Sequence, residues 1–222
     1  MLRRRMTAFV SAIAICLGAG ALWASSAFAV DPILFVHGYS RTASDWNTMI
    51  KRFEKDGWSK KQLSAYSYNT STSNVTTAEN VVKSEVEKLL ASTKASKVDI
   101  IAHSMGSLNT RWYIKFLGGE SQVDDWVSLG GPNHGTDFAK LCFSASCVEM
   151  RAGSTFLNTL NAEDETPGAV NYGTWWSPCD EIINPDSSVP LAGATNTETG
   201  CISHLNLMQD ETVYSQVREF VK

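Results

Sequence analysis

The chain has 222 residues, 43% of them apolar and 19% charged, with 19 Lys+Arg against 23 Asp+Glu and a formal charge of −4. No basic run and no interleaving of basic with aromatic residues appears, which argues against nucleic acid as a partner. The length suits one domain with a substantial core.

The first 29 residues read as a signal peptide. Arg3, Arg4 and Arg5 form a positive start, an apolar run extends from Ala8 to Trp23, and Ala27-Phe28-Ala29 offers a cleavage point before Val30. The run is short for a membrane span of roughly 20 residues and is broken by Gly18 and Gly20. Residues 30–222 form the expected secreted catalytic domain. Its charge, with three of the 19 basic residues removed, is 16 against 23, or −7. No later apolar stretch is long enough to span a membrane, and a monomer is expected. Cys16 leaves with the signal, so four cysteines remain: Cys142, Cys147, Cys179 and Cys201. An even count in an exported protein favours disulfides. Of the three possible pairings, Cys142–Cys147 with Cys179–Cys201 is the most economical. Neither Cys-x-x-Cys nor paired-histidine spacing supports a zinc site, and no metal is expected.

Asp31 to Val36 reads as a short apolar strand, too continuous to be half exposed, and it ends in His37-Gly38-Tyr39-Ser40. A helix capped by Ser44 or Asp45 runs to about Asp56 and stops at Gly57, with Trp46, Met49, Ile50 and Phe53 on one face. A second strand is expected within Gln62 to Asn69, and a helix from about Ala78 to Ser92. Lys97 to His103 is the next strand, running into a tight turn at Ser104 and a helix from Met105 to Leu117. Val123 to Leu129 is a strand followed by Gly130-Gly131-Pro132. Pro132 to Gly168 is less regular, with one helix around Ser154 to Asn161. Ala169 to Trp176 reads as a strand and Pro178 to Asn196 as a loop. A short strand near Gly200, a loop at His204 and a helix from Glu211, capped by Asp210, close the chain. Strands alternating with amphipathic helices predict an α/β fold, a mostly parallel sheet with helices on both faces.

The segment Val98 to Ser107 has the layout of a nucleophile elbow, a strand and a helix joined by a sharp turn with a serine at the corner. A serine hydroxyl needs a neighbouring base, and the base needs a group that fixes its tautomer. Four histidines are available. His37 adjoins the turn after the first strand. His103 precedes Ser104 and points away from it on a tight elbow. His134 lies in Gly131-Pro-Asn-His-Gly135. His204 follows the last short strand and is the preferred base, since the order Ser, acid, His is that of α/β-hydrolase scaffolds. Asp180 is the preferred acid, because its neighbour Cys179 would be bridged to Cys201 near His204. Glu181 and Asp186 are rivals from the same loop. The N–H of Met105, at the helix start, and that of Tyr39, after the first strand, are the candidate oxyanion donors.

On these residues the chain resembles the small secreted bacterial lipases of the Bacillus lipase A and Streptomyces type, within the α/β-hydrolases. The matching motifs are Phe35-Val36-His37-Gly38, Ala102-His103-Ser104-Met105-Gly106, Tyr113-Ile114-Lys115, Leu129-Gly130-Gly131, Asp180 and His204. The resemblance implies a minimal hydrolase core without cofactor, acting on carboxylic esters including acylglycerols, at a lipid–water interface for lipid substrates. It assigns Ser104, Asp180 and His204 to a triad and Tyr39 and Met105 to the oxyanion hole. Ala102 and Ser107 depart from the usual glycines, and the segment 132–168 is longer than a lidless core needs. Tyr39, Trp46, Met105, Phe143, Trp175 and Ile182 are candidates to line an acyl groove, each equally able to serve the core. An acyltransferase or a polyester hydrolase would use the same triad. A non-catalytic hydrolase-fold binding protein would lack one of the three residues.

Overall fold

The computed structural model describes residues 30–222, so the expected signal peptide, residues 1–29, lies outside the described residues. Six strands form one sheet: β1 (Ile33–Val36), β2 (Leu63–Ala65), β3 (Val98–His103), β4 (Val123–Leu129), β5 (Asn171–Trp176) and β6 (Thr195–Glu198). Their order is β2-β1-β3-β4-β5-β6, and every neighbouring pair is parallel. The helices are α1 (Asn47–Lys55), α2 (Asn74–Thr77), α3 (Lys83–Thr93), α4 (Gly106–Phe116), α5 (Ala145–Glu149), α6 (Thr155–Leu160) and α7 (Glu211–Phe220). None of them is long and apolar enough to cross a membrane.

The two-residue period of a strand explains the unbroken apolar run of β1. Ile33 and Phe35 join Trp46, Met49 and Phe53 of the α1 region and Val213 and Val217 of α7 on one face. Leu34 and Val36 join Val82, Val86, Tyr113 and Ile114 on the other. A third apolar cluster joins Met105 and Leu108 to Ala139, Cys147, Met150 and Leu160, and so packs the irregular 137–160 segment onto α4. Two cations of α4 hold the chain beyond it. Arg111 donates to Asn161 Oδ1 and Glu165 O, and Lys115 Nζ donates to the carbonyls of Leu160, Ala162 and Asp164.

Several element boundaries differ from expectation. β2 stops at Ala65, because Tyr66 and Tyr68 turn to pack on the second cluster and Tyr68 donates to the His37 carbonyl. The second helix starts at Asn74, where Ser73 caps it by accepting from Thr76 N, and passes through a π turn at Ala78–Val82 before α3. α5 arises where no helix is expected, capped by Ser144. The last strand is Thr195–Glu198 instead of a strand near Gly200, and its first two residues fall within the stretch read as loop. It is an edge strand of polar, mostly exposed residues, so it leaves no apolar signature. Asn196 anchors it, accepting from Thr174 Oγ1 and Leu191 N. Both cysteine pairs are bonded as expected, Cys142 to Cys147 and Cys179 to Cys201.

Candidate active site

The loops that follow the carboxyl ends of β1, β3, β4 and β5 converge. Ser104 sits between β3 and α4 with φ 55°, a left-handed conformation that a serine adopts at a cost of about 1–3 kcal/mol. Its amide donates to Leu129 O at the end of β4. The turn is tight enough to exclude side chains on its neighbours. A Cβ on Gly106 would lie 2.6 Å from the Val36 carbonyl oxygen, and one on Gly38 would lie 2.7 Å from Ser104 Cβ. Ala102 is buried in the second apolar cluster, where its methyl fits. Ser107 is buried and accepts a hydrogen bond from Ser128 Oγ at 2.9 Å.

His204 and Asp180 come together. Nδ1 of His204 lies 2.7 Å from Asp180 Oδ2, and the two side chains are only 4% and 2% exposed. The other carboxylate oxygen of Asp180 accepts from the amides of Ile182 and Ile183, both at 2.9 Å, which fixes the plane of the group. The amide of His204 donates to Glu181 Oε2 at 3.0 Å. Glu181, the nearest rival acid, therefore meets the backbone of His204. Asp186, the other rival, accepts from the amide of Ser187. Ser104 and His204 both line one cavity of about 270 Å³, together with Tyr39, Phe138, Met150, Ile182 and Leu205.

The remaining histidines have partners other than Ser104 and Asp180. His37 is buried, stacks on Tyr68 with ring centroids 4.3 Å apart and contacts the Gly38 carbonyl, and burial lowers its pKa. His134 bridges Glu165 and the carbonyl of Ser188, away from the cavity. His103 contacts the carbonyl of His204 through Nε2.

Four candidates for the acyl groove do not line the cavity. Trp46 is fully buried against Phe35, at 5.3 Å between centroids. Trp175 is buried edge-on to Phe220 and donates from Nε1 to Gln216. Phe143 is 84% exposed and lies under the Arg151 guanidinium outside the cavity. The Met105 side chain is likewise in the third apolar cluster. Tyr39 and Ile182 do line the cavity, joined by residues that sequence reasoning missed. Leu205 and Ile183 adjoin the base and the acid loop in sequence, which is a usable signal. Phe138 and Met150 come from the irregular segment and carried none.

A parallel sheet covered on both faces, with a serine on a strained strand-to-helix turn and a histidine–carboxylate pair beside it, defines an α/β-hydrolase. Within that class the chain belongs to the class 2 lipases, whose family model matches residues 30–218. It is a lipolytic hydrolase. Bacillus licheniformis lipase BlEst2 in its mature form superposes with a TM-score of 0.77 at 16% identity, over 87% of this chain and 93% of that one. Aspergillus fumigatus lipase B matches with a TM-score of 0.71 at 20% identity, over 84% of this chain and 51% of that longer one. The lin2722 product of Listeria innocua matches with a TM-score of 0.69 at 13% identity, over 87% and 94% of the two chains. At these identities the likeness is one of fold.

Proposed function

We propose that this protein is a secreted serine carboxylic-ester hydrolase that cleaves apolar acyl esters through an acyl-enzyme on Ser104. The observation that carries the reading is the buried Asp180–His204 pair opening onto the same cavity as the strained Ser104. Ser104 Oγ attacks the ester carbonyl while His204 Nε2 takes its proton. Asp180 holds Nδ1–H and stabilises the imidazolium. The negative charge on the carbonyl oxygen rests on the amides of Tyr39 and Met105. Tyr39 follows the turn at Gly38, and Met105 caps α4. His204 then gives its proton to the departing alkoxide, the alcohol leaves, and water releases the acid by the same route.

The rim of the cavity supports an apolar substrate. Phe138 and Leu205 line it and are each 40% exposed, and Leu141 and Phe143, which follow Phe138 in the chain, are 75% and 84% exposed. Exposed apolar side chains of this size beside a cavity suit contact with a lipid–water interface. The two disulfides support an oxidising, extracellular setting.

The test is the Ser104→Ala variant with p-nitrophenyl butyrate and a fluorophosphonate label. Turnover should fall by on the order of 10⁴-fold or more with the fold intact, and the label should attach to Ser104 of the parent only. A parent that resists labelling, or a variant that retains substantial turnover, would refute the reading.

A further inference from the structure

The base of the proposed triad has a demand that its acid cannot meet alone. Asp180 fixes the ring of His204 at Nδ1, but the ring's distance from Ser104 depends on where the backbone of residue 204 lies. That backbone opens a short tight turn, His204–Met208, between Cys201, tied to Cys179, and α7. Both of its polar groups are taken by side chains. The N–H donates to Glu181 Oε2 at 3.0 Å, and the carbonyl faces His103 Nε2 at 3.1 Å. Glu181 is the residue after the acid, and His103 is the residue before the nucleophile. Each triad loop therefore sends a neighbour of its own reacting residue to the base.

We infer that His103 and Glu181 are positioning residues that clamp the His204 peptide groups and so set the register between its imidazole, Ser104 and Asp180. This rests on the triad reading above. The chemistry of each partner fits the task. A carbonyl needs a donor, so neutral His103 must carry its proton on Nε2, which leaves Nδ1 buried without a hydrogen-bond partner among the described residues. The two imidazole centroids are 4.5 Å apart. A second cation there would oppose the imidazolium formed at His204 during turnover. Complete burial, with the nearby His204 charge adding to it, holds the His103 pKa well below the usual histidine value, so the ring stays neutral. Glu181 supplies an anionic acceptor, and a carboxylate on an N–H is among the stronger hydrogen bonds.

The experiment compares His103→Phe with His103→Gln and Glu181→Ala with Glu181→Gln, each glutamine retaining the needed donor or acceptor. Steady-state kinetics on p-nitrophenyl butyrate give kcat and KM across pH, and circular dichroism monitors folding. A catalytic group displaced by about 1 Å costs roughly 10²-fold, so Phe and Ala should lower kcat by about that factor with KM changed little. The two glutamine variants should recover most of the loss. Unchanged kcat in His103→Phe and Glu181→Ala, or losses in the glutamine variants as large as theirs, would overturn the inference. If the parent itself neither turns over the ester nor takes a fluorophosphonate at Ser104, the triad reading fails and the clamp with it.

Discussion

Single glycines decide whether the proposed triad can assemble. Gly130 directly follows β4 with φ 56°, and a Cβ there would lie 3.1 Å from Asp180 Oδ2 and 3.2 Å from His204 Cε1. Gly130→Ala should therefore act twice. The left-handed conformation costs a non-glycine residue about 1 kcal/mol or more, and the methyl presses on the acid and the base together. We expect kcat to fall with a drop of a few degrees in thermal midpoint, whereas Gly57→Ala should cost stability alone. Gly57 has φ 111° with nothing within 4 Å of an added Cβ. Equal activity of the two variants would show that the crowding at Gly130 does not matter. At this scale the sequence was informative for chemistry and uninformative for packing. A serine on an elbow, a late histidine and an acid beside a cysteine are recognisable by type and order. The indoles of Trp46 and Trp175 are equally good core and substrate contacts by type, and only their burial against Phe35 and Phe220 distinguishes them.

At the scale of elements, apolar periodicity made the central strands and their helices legible, since β1, β3 and β4 are almost entirely buried. The edges were not, because β6 is polar and β2 is three residues long. α5 is five residues long, too short for periodicity to identify, and depends on its Ser144 cap and the 142–147 bridge. The Cys179–Cys201 bridge joins the loop of the acid to that of the base across 22 residues. In the chain-entropy view, closing a loop of that size stabilises by about 3 kcal/mol. Replacing both cysteines by serine should lower the thermal midpoint markedly and kcat as well, because Asp180 and Ile202 flank the bridge directly. Calorimetry showing no change in midpoint would mean that the loops are held by other contacts. The bridge at 142–147 spans five residues and should contribute less to global unfolding.

Across the whole molecule the two ends of the sheet differ in electrostatics. The carboxyl ends carry the proposed triad. The amino ends gather Asp31, Asp99, Asp124 and Asp125, with Lys97 paired to Asp124. Burial pushes Asp99 well above the ordinary carboxylate range and Asp125 up to about 6, and Asp31 is raised by burial and by Asp124. A folded-state pKa above the unfolded value means that the folded protein holds the proton more tightly. The stability from Asp125 is thus present at low pH and lost as pH rises through about 6, and that from Asp99 and Asp31 falls in the same direction as pH rises above the ordinary carboxylate range. His37 and His103 act in the opposite sense, since their folded pKa values are lowered and stability falls as pH drops below the ordinary histidine range. Asp99→Asn removes one carboxylate while keeping an oxygen for the amide of Asp125. Its thermal midpoint should exceed the parent's, by a margin that widens from pH 5 to pH 8. A margin that shrinks over that range would contradict the assignment.

The parallel sheet also sets an order in time. Every strand pairing joins segments separated by a crossover, and such non-local topologies fold slowly. His204 and α7 come late in the chain, yet α7 packs beside β1 residues from its beginning. With His204 as the proposed base, hydrolytic competence waits for the last nineteen residues, 204–222, to dock. Recovery of ester turnover after dilution from denaturant should lag behind the return of helical signal, which makes activity itself a clock for the final step of folding.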